Sequence, residues 1–331
     1  EPYRRQRQMC IRDRGRIDIS LKEGITEKLY IEIEVSGGGH SAVAIIAGGH
    51  TNFVFISRDG ETLQESRRTS GSEQEAQGVE LNLRKVFDFA MTTPLDEIRF
   101  ILEAKRLNKA AAEDSFKNNY GHCVGNTLRH APELRIIGDC ALSRILSYTC
   151  AACDARMAGA MVPVMSNSGS GNQGITASVP VWRYGLFLGA SEENILRAVA
   201  LSDLITIHQK TGIGRLSAYC GAVSAGVGAG CGIAWLRGAD YDGISRTICN
   251  AVAMISGCIC DGAKASCASK IAMAVGTGIL GYNMYLGGNN FRPGDGIEGA
   301  DVEETIRNVG VLASKGMHET DRVILNIMTG R

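Results

Sequence analysis

The sequence predicts an α+β protein: a small N-terminal mixed α/β unit followed by a large, mostly helical domain. Three observations carry this. Apolar and polar residues alternate between Leu29 and Val35, the two-residue period of a half-buried strand. From about residue 79 onward, apolar residues instead recur every three or four positions. Glycine supplies 41 of the 331 residues and aromatic residues only 6%, so the core must be built from small and aliphatic side chains with closely approaching backbones.

In chain order, residues 1–16 hold six arginines and no apolar run, so they are not a secretory signal. The string MCIRDR at 9–14 resembles translated adapter read-through, with a mitochondrial presequence as the other reading. Residues 1–16 are therefore expected to be a non-native leader, with the true N-terminus missing. Ser36-Gly-Gly-Gly39 ends the first strand, Val43–Ala47 reads as a second, and Phe53–Ile56 with Glu61–Glu65 flank Arg58-Asp59-Gly60 as a hairpin. The polar stretch 66–78 reads as a linker. The expected division is thus 1–16, 17–78 and 79–331.

In the helical part, Thr93-Pro94-Leu95-Asp96 reads as a capped helix start, with Leu95, Ile98, Ile101 and Leu102 on one face. Ser191 is expected to cap a run containing Ile195, Leu196 and Val199. Ile244, Ile248, Val252 and Ile255 mark a further helix, and Asp301 with Glu304 opens another that Gly310 should end. The last helix is expected from Thr320, burying Val323, Ile324, Ile327 and Met328.

Lys+Arg and Asp+Glu each number 35, a balance that argues against a nucleic-acid or membrane-surface partner. The long uncharged stretches Met157–Trp182, Leu216–Leu236 and Ile271–Phe291 are rich in Gly, Ala, Ser and Asn, the content of packed helices rather than membrane spans. Eleven cysteines without a secretory segment point to a reducing cytoplasm.

Two motifs bear on chemistry. Gly169-Ser-Gly171-Asn-Gln-Gly174 matches a dinucleotide fingerprint, but Pro180 is expected to interrupt the long helix that fingerprint needs. The wider string Ser166, Asn167, Ser168, Gly169, Ser170, Gly171, Asn172, Gln173 and Gly174 offers hydroxyls, amides and backbone N–H groups suited to a carboxylate, or forms a tight structural loop. Cys123, Cys140, Cys150, Cys153, Cys231 and Cys249 sit in apolar or helical runs and read mostly as buried small hydrophobes. Cys220 follows a Gly-rich turn, and Cys260 and Cys267 bracket Asp261–Ser266. Their spacing fits no zinc finger or ferredoxin run, leaving a metal site and structural thiols both open.

SNSGSGNQG at 166–174, SAYCGA at 217–222, ICDGAKASCASK at 259–270 and GMHETDRVILNIM at 316–328 resemble the L-cysteine desulfidase family, relatives of the iron–sulfur L-serine dehydratases. The resemblance spans about residues 17–331 and includes Gly-His-Thr-Asn at 49–52. It implies that Cys220, Cys260 and Cys267 ligate a [4Fe–4S] cluster, with Cys258 a structural neighbour. Three thiolates would leave one iron open as a Lewis acid, a base would take the Cα proton, and loss of sulfide would give pyruvate and ammonia. The Ser166–Gly174 loop would hold the carboxylate of a small amino-acid substrate. His50 is the candidate catalytic group, with His40 and Asn52 beside it, each also readable as structural. No pyridoxal phosphate is implied, no lysine stands out for a Schiff base, and a homo-oligomer is a further expectation. The same machinery deaminating L-serine is the alternative, a dinucleotide-binding oxidoreductase a more distant one, and a helical protein whose cysteines merely pack the last. The family's Gly-Cys-Thr-Glu-Pro segment does not occur here, and Cys10 lacks its neighbours; on that reading the chain binds a cluster yet releases little sulfide.

Overall fold

The computed structural model describes residues 17–18, 20, 22–25, 27, 29–49, 51–66, 80–130, 138–214 and 216–330. The expected leader, nearly all of the expected linker and His50 lie outside the described residues. The chain is α+β and divides into two units, 1–79 and 80–331.

The first unit is an antiparallel meander of β1 (Tyr30–Gly37), β2 (His40–Ala47), β3 (Phe53–Arg58) and β4 (Glu61–Glu65), adjacent in that order. Its described residues form strands and turns only. Gly38-Gly39 and Asp59-Gly60 close the two tight hairpins with positive φ at both central positions, the backbone that matches the twist of paired strands. Asp59 strengthens its turn by accepting from the Ser41 N–H at 2.8 Å and pairing with His40. The alternation at Leu29–Val35 is indeed a strand, but its apolar face is not buried: Ile33 is 56% exposed, with Ile31 and Val35 similar. Within this unit no described element packs against that face.

The second unit is helical: α1 (Leu83–Thr92), α2 (Leu95–Ile98), α3 (Ile101–Lys117), α4 (Val124–Arg129), α5 (Ala141–Met157), α6 (Gly171–Leu188), α7 (Glu192–Ile213), α8 (Gly221–Leu236), α9 (Tyr241–Ile255), α10 (Cys267–Leu286), α11 (Val302–Val311) and α12 (His318–Thr329). Its centre is α8, which is buried along nearly its whole length. Gly226 and Gly230, four residues apart, face α10: a Cβ on either would lie 2.5 Å from the backbone of Ala274 or Gly278. Gly228 and Gly232 face α7, where a Cβ would meet the carbonyls of Ser202 and Ala198 at 2.5 and 2.8 Å. The glycine surplus in the sequence is thus largely a device for backbone-to-backbone packing.

These contacts also fix direction. Contacts along α8 and α10 advance together, so the two run parallel, whereas those between α8 and α7 run in opposite senses. Ser202 Oγ donating to the Ala177 carbonyl, with Gly185 against Ile195, sets α6 antiparallel to α7. Gly243 against Tyr285 and Gly281 against Ala251 set α9 antiparallel to α10. The N-termini of α6, α8 and α10 and the C-termini of α7 and α9 therefore share one end of the bundle.

Several local expectations are corrected. Pro180 does not interrupt α6, which runs through it; Ser202 supplies a hydrogen bond to the carbonyl of Ala177, next to the position that loses its ladder partner. Thr93 does not cap α2; it ends α1, its N–H donating to the Phe89 carbonyl at 3.0 Å. Gly310 does not end α11 but allows close approach to Gly212, and the chain continues into a π turn at Leu312–Gly316. Asp301 does cap α11, as Ser191 caps α7. The last helix starts at His318, and Val323, Ile327 and Met328 are exposed, Ile327 by 74%. Periodicity identified that helix but not whether a neighbour covers its apolar stripe. Among the described residues no helix is long and apolar enough to cross a membrane.

Candidate functional site

At the shared end of the bundle, an isolated antiparallel bridge joins Tyr219, just before α8, to Ile259, just after α9. Its hydrogen bonds run from the Cys220 N–H to the Cys258 carbonyl at 3.2 Å and from the Cys260 N–H to the Ala218 carbonyl at 2.5 Å. Side chains alternate across such a pairing, so Cys220, Cys258 and Cys260 share one face. Tyr219, on the other, is buried with its hydroxyl 3.3 Å from Ser256 Oγ. Cys220 is the N-cap residue of α8 and Cys267 opens α10. Cys260 feels both Cys220 and Cys267 electrostatically. The three predicted ligands are thus neighbours, gathered from two loops beside helix N-termini whose partial positive charge favours thiolates.

Cys258 belongs to the same group, although the sequence reading set it aside as structural. Its thiol is hydrogen-bonded to Cys220, which pushes it down to about 7, while the same contact followed by burial pushes Cys220 far up. Burial raises Cys260, partly offset by the Gly262 N–H. Among the described residues no three His, Cys, Asp or Glu side chains are gathered as they would be around a single ion.

Two lysines lie near enough to the thiols to feel their charge, neither foreseen from the sequence. Lys210, in the last turn of α7, is only 8% exposed. Burial lowers its pKa, and the nearby Cys260 and Cys220 partly restore it. It arrives there because α7 is antiparallel to α8; Gln209 beside it donates to the Ser224 carbonyl of α8 at 3.1 Å. Lys270, one turn into α10, donates to the Ile259 carbonyl at 3.0 Å and pairs with Asp261. Burial works against its charge, but Asp261 and the thiols raise its pKa overall.

The polar loop divides between two tasks. Asn167 and Ser170 exchange backbone hydrogen bonds around Ser168 and Gly169, both at positive φ, forming a tight turn. Asn167 donates to Asp203 Oδ1 at 2.9 Å, and Ser168 Oγ donates to Asn167 Oδ1 at 2.8 Å. Ser170 caps α6 through the Gln173 N–H. These groups hold the loop. Asn172 and Gln173 leave the loop elsewhere: Asn172 Oδ1 accepts from Cys153 Sγ and its Nδ2 donates to Met157 Sδ, each at 3.4 Å, while Gln173 packs against Gly221, next to Cys220. Gln173 is 6% exposed and its Oε1 has no hydrogen-bond partner. Position along the string could not separate these roles, because they depend on which side of the α6 start each side chain leaves. No strand leads into the loop, so the dinucleotide fingerprint lacks its structural context.

Asp154 of α5 is fully buried; Oδ2 accepts from the Gly125 N–H at 2.9 Å and Oδ1 has no partner. Burial pushes its carboxyl up to about 6 against the lowering effect of the Gly125 and Val124 N–H groups. His40 and Asn52 lie in the first unit: His40 Nδ1 is 2.9 Å from Asp59 Oδ2, and Asn52 Nδ2 donates to the Ala47 carbonyl at 2.8 Å. Of the remaining cysteines, Cys150, Cys153, Cys231 and Cys249 are buried, Cys123 is partly buried and Cys140 is exposed.

A family model described as the serine dehydratase alpha chain matches residues 33–326. A UPF0597 protein of Bacteroides fragilis is 54% identical over 317 residues, covering 96% of this chain and 74% of its own length. UPF0597 proteins of Bacteroides thetaiotaomicron and Phocaeicola vulgatus are each 52% identical, over 95% and 96% of this chain and 73% and 74% of their own lengths. No solved structure is significantly similar.

Proposed function

We propose, from the premise that the chain belongs to the serine dehydratase alpha chain family, that it is an iron–sulfur-dependent lyase catalysing β-elimination from a small L-amino acid. The observation that carries this reading is the gathering of Cys220, Cys260 and Cys267 beside the N-termini of α8 and α10. The donor set suits a [4Fe–4S] cluster better than a single ion. Each thiolate of a cluster binds a different iron, so its cysteines stand farther apart than ligands converging on one metal. Gln173 Oε1, buried and without a partner beside Cys220, is a further polar group that a bound species would satisfy.

Cys220, Cys260 and Cys267 would hold the cluster, whose open iron supplies Lewis acidity toward the substrate's leaving group. The remaining work falls to the protein. The Lys210 and Lys270 ammonium groups offset the negative charge of the thiolates in a poorly solvated setting. Asn172, Gln173 and the first N–H groups of α6 would orient a substrate carboxylate. His50 is the proposed proton-handling residue. The motif resemblance makes L-cysteine the proposed substrate, releasing sulfide, ammonia and pyruvate. The family model's description favours a second reading, L-serine losing water by the same elimination.

The test is anaerobic reconstitution with iron and sulfide, followed by metal analysis, absorbance and pyruvate release from each amino acid. The reading expects a brown protein with close to one cluster per chain, lost in Cys220→Ser, Cys260→Ser and Cys267→Ser but kept in Cys231→Ala. A colourless, iron-free product from the unaltered chain overturns it, and the ratio of pyruvate from the two substrates decides between them.

A further inference from the structure

Cys220 and Cys258 occupy directly opposed positions on the Tyr219–Ile259 bridge, and one backbone hydrogen bond of 3.2 Å joins them. The Cys258 N–H turns to the Ile255 carbonyl, so the two make one of the two bonds of a full ladder pair; full pairs have Cα atoms about 5.5 Å apart, within the range a disulfide spans. Their side chains leave the same face of the pairing. Exposure sets an order of attack: Cys258 is partly open to solvent, whereas Cys220 is buried, 7% exposed. Cys260, two residues along the same face, is diagonal to Cys220 rather than opposite it.

We propose that Cys220 and Cys258 form a peroxide-reactive dithiol whose oxidation to a disulfide withdraws Cys220 from metal binding. A hydroperoxide transfers one oxygen to the Cys258 sulfur, giving a sulfenic acid and, from hydrogen peroxide, one water. The Cys220 sulfur then attacks the Cys258 sulfur; the S–S bond forms, the S–O bond breaks, and the hydroxyl leaves with the Cys220 proton as a second water. Two thiols are oxidised and one peroxide is reduced. A thiol reductant reverses the bond by exchange. The dithiol itself stands on the bridge geometry alone; only its effect on metal binding rests on the cluster reading above.

The experiment treats the reduced, metal-free full chain with hydrogen peroxide, blocks remaining thiols by alkylation, and maps the peptides by mass spectrometry. Cys258 and Cys260 share the tryptic peptide 247–264, so variants assign the bond. The expected product lacks two hydrogens, joins that peptide to the one bearing Cys220, persists in Cys260→Ser and is absent in Cys258→Ser. Iron uptake is expected to fail after peroxide, return on reduction, and survive peroxide in Cys258→Ser. A Cys260–Cys267 bond, over-oxidised Cys258 without a cross-link, or no modification overturns the proposal. If the reduced chain takes up no iron, the cluster reading fails, while the peptide map still decides the dithiol.

Discussion

Gln173 lies so close to Gly221 that a Cβ on the glycine would stand 2.7 Å from its carboxamide carbon. This contact joins the polar loop at the start of α6 to the cysteine at the start of α8, placing the two most distinctive strings of the sequence in one site.

Gly221→Ala is therefore expected to destabilise the protein by about 1–3 kcal/mol, the usual cost of overpacking. Gln173→Ala in the same chain should recover most of that loss, because the clash is with that side chain. Thermal unfolding of the two single variants and the double variant reads the coupling. Additive losses would show that Gly221 is required for another reason.

Two glycines in the bundle should respond in opposite directions. Gly230→Ala places a Cβ 2.5 Å from the Gly278 backbone, which cannot rotate aside, so severe destabilisation is expected. Gly276 of α10 has open space around it, and Gly276→Ala should stabilise by roughly 0.5–1 kcal/mol through helix propensity. Denaturant midpoints of the two variants check both signs.

Asp154 gives a pH signature. Its folded pKa of about 6 lies above the ordinary value of 3.8, so the fold disfavours the charged form. The cost is absent when both folded and unfolded carboxyls are protonated, grows as pH rises between these values, and is complete above about 6. Relative to the unaltered chain, Asp154→Asn should thus gain stability from pH 4 to pH 7, by up to about 3 kcal/mol. Urea unfolding across that range measures the slope; a flat difference would mean that the carboxyl titrates normally.

The loop variants should separate. Asn172→Ala is expected to weaken substrate binding by about one to two decades, the loss of one hydrogen bond to a charged group. Ser168→Ala should leave binding nearly unchanged, because its hydroxyl bonds Asn167 within the turn, whereas the Asn172 amide meets only the weak sulfur partners Cys153 and Met157 and can exchange them for a carboxylate. Substrate-dependent change in the cluster's absorbance gives the affinities, and equal effects from both would contradict the division of the loop.

Much of the architecture was legible in local pattern. The alternation at Leu29–Val35, the turn residues Asp59-Gly60 and the caps Ser191 and Asp301 depend only on backbone preference and nearby hydrogen bonds, so they form as their chemistry predicts. Local rules failed where a distant element intervened. Pro180 is accommodated inside a helix beside Ser202, and the apolar stripes of β1 and α12 remain exposed.

By itself the sequence determined the fold class, the identity of the strands and most helices, and the cysteine and polar strings from which a site could be sought. Periodicity and turn chemistry act over a few residues, and composition limits what the core can contain. Only the tertiary structure decided which groups meet. Antiparallel packing of α7 on α8 brings Lys210 to Cys220, and a single bridge turns Cys258 from a neighbour of Cys260 into the partner opposite Cys220. Those relationships span 10 and 38 residues in the chain. They depend on helix direction and strand register, which close glycine contacts and backbone hydrogen bonds establish only once the bundle has formed.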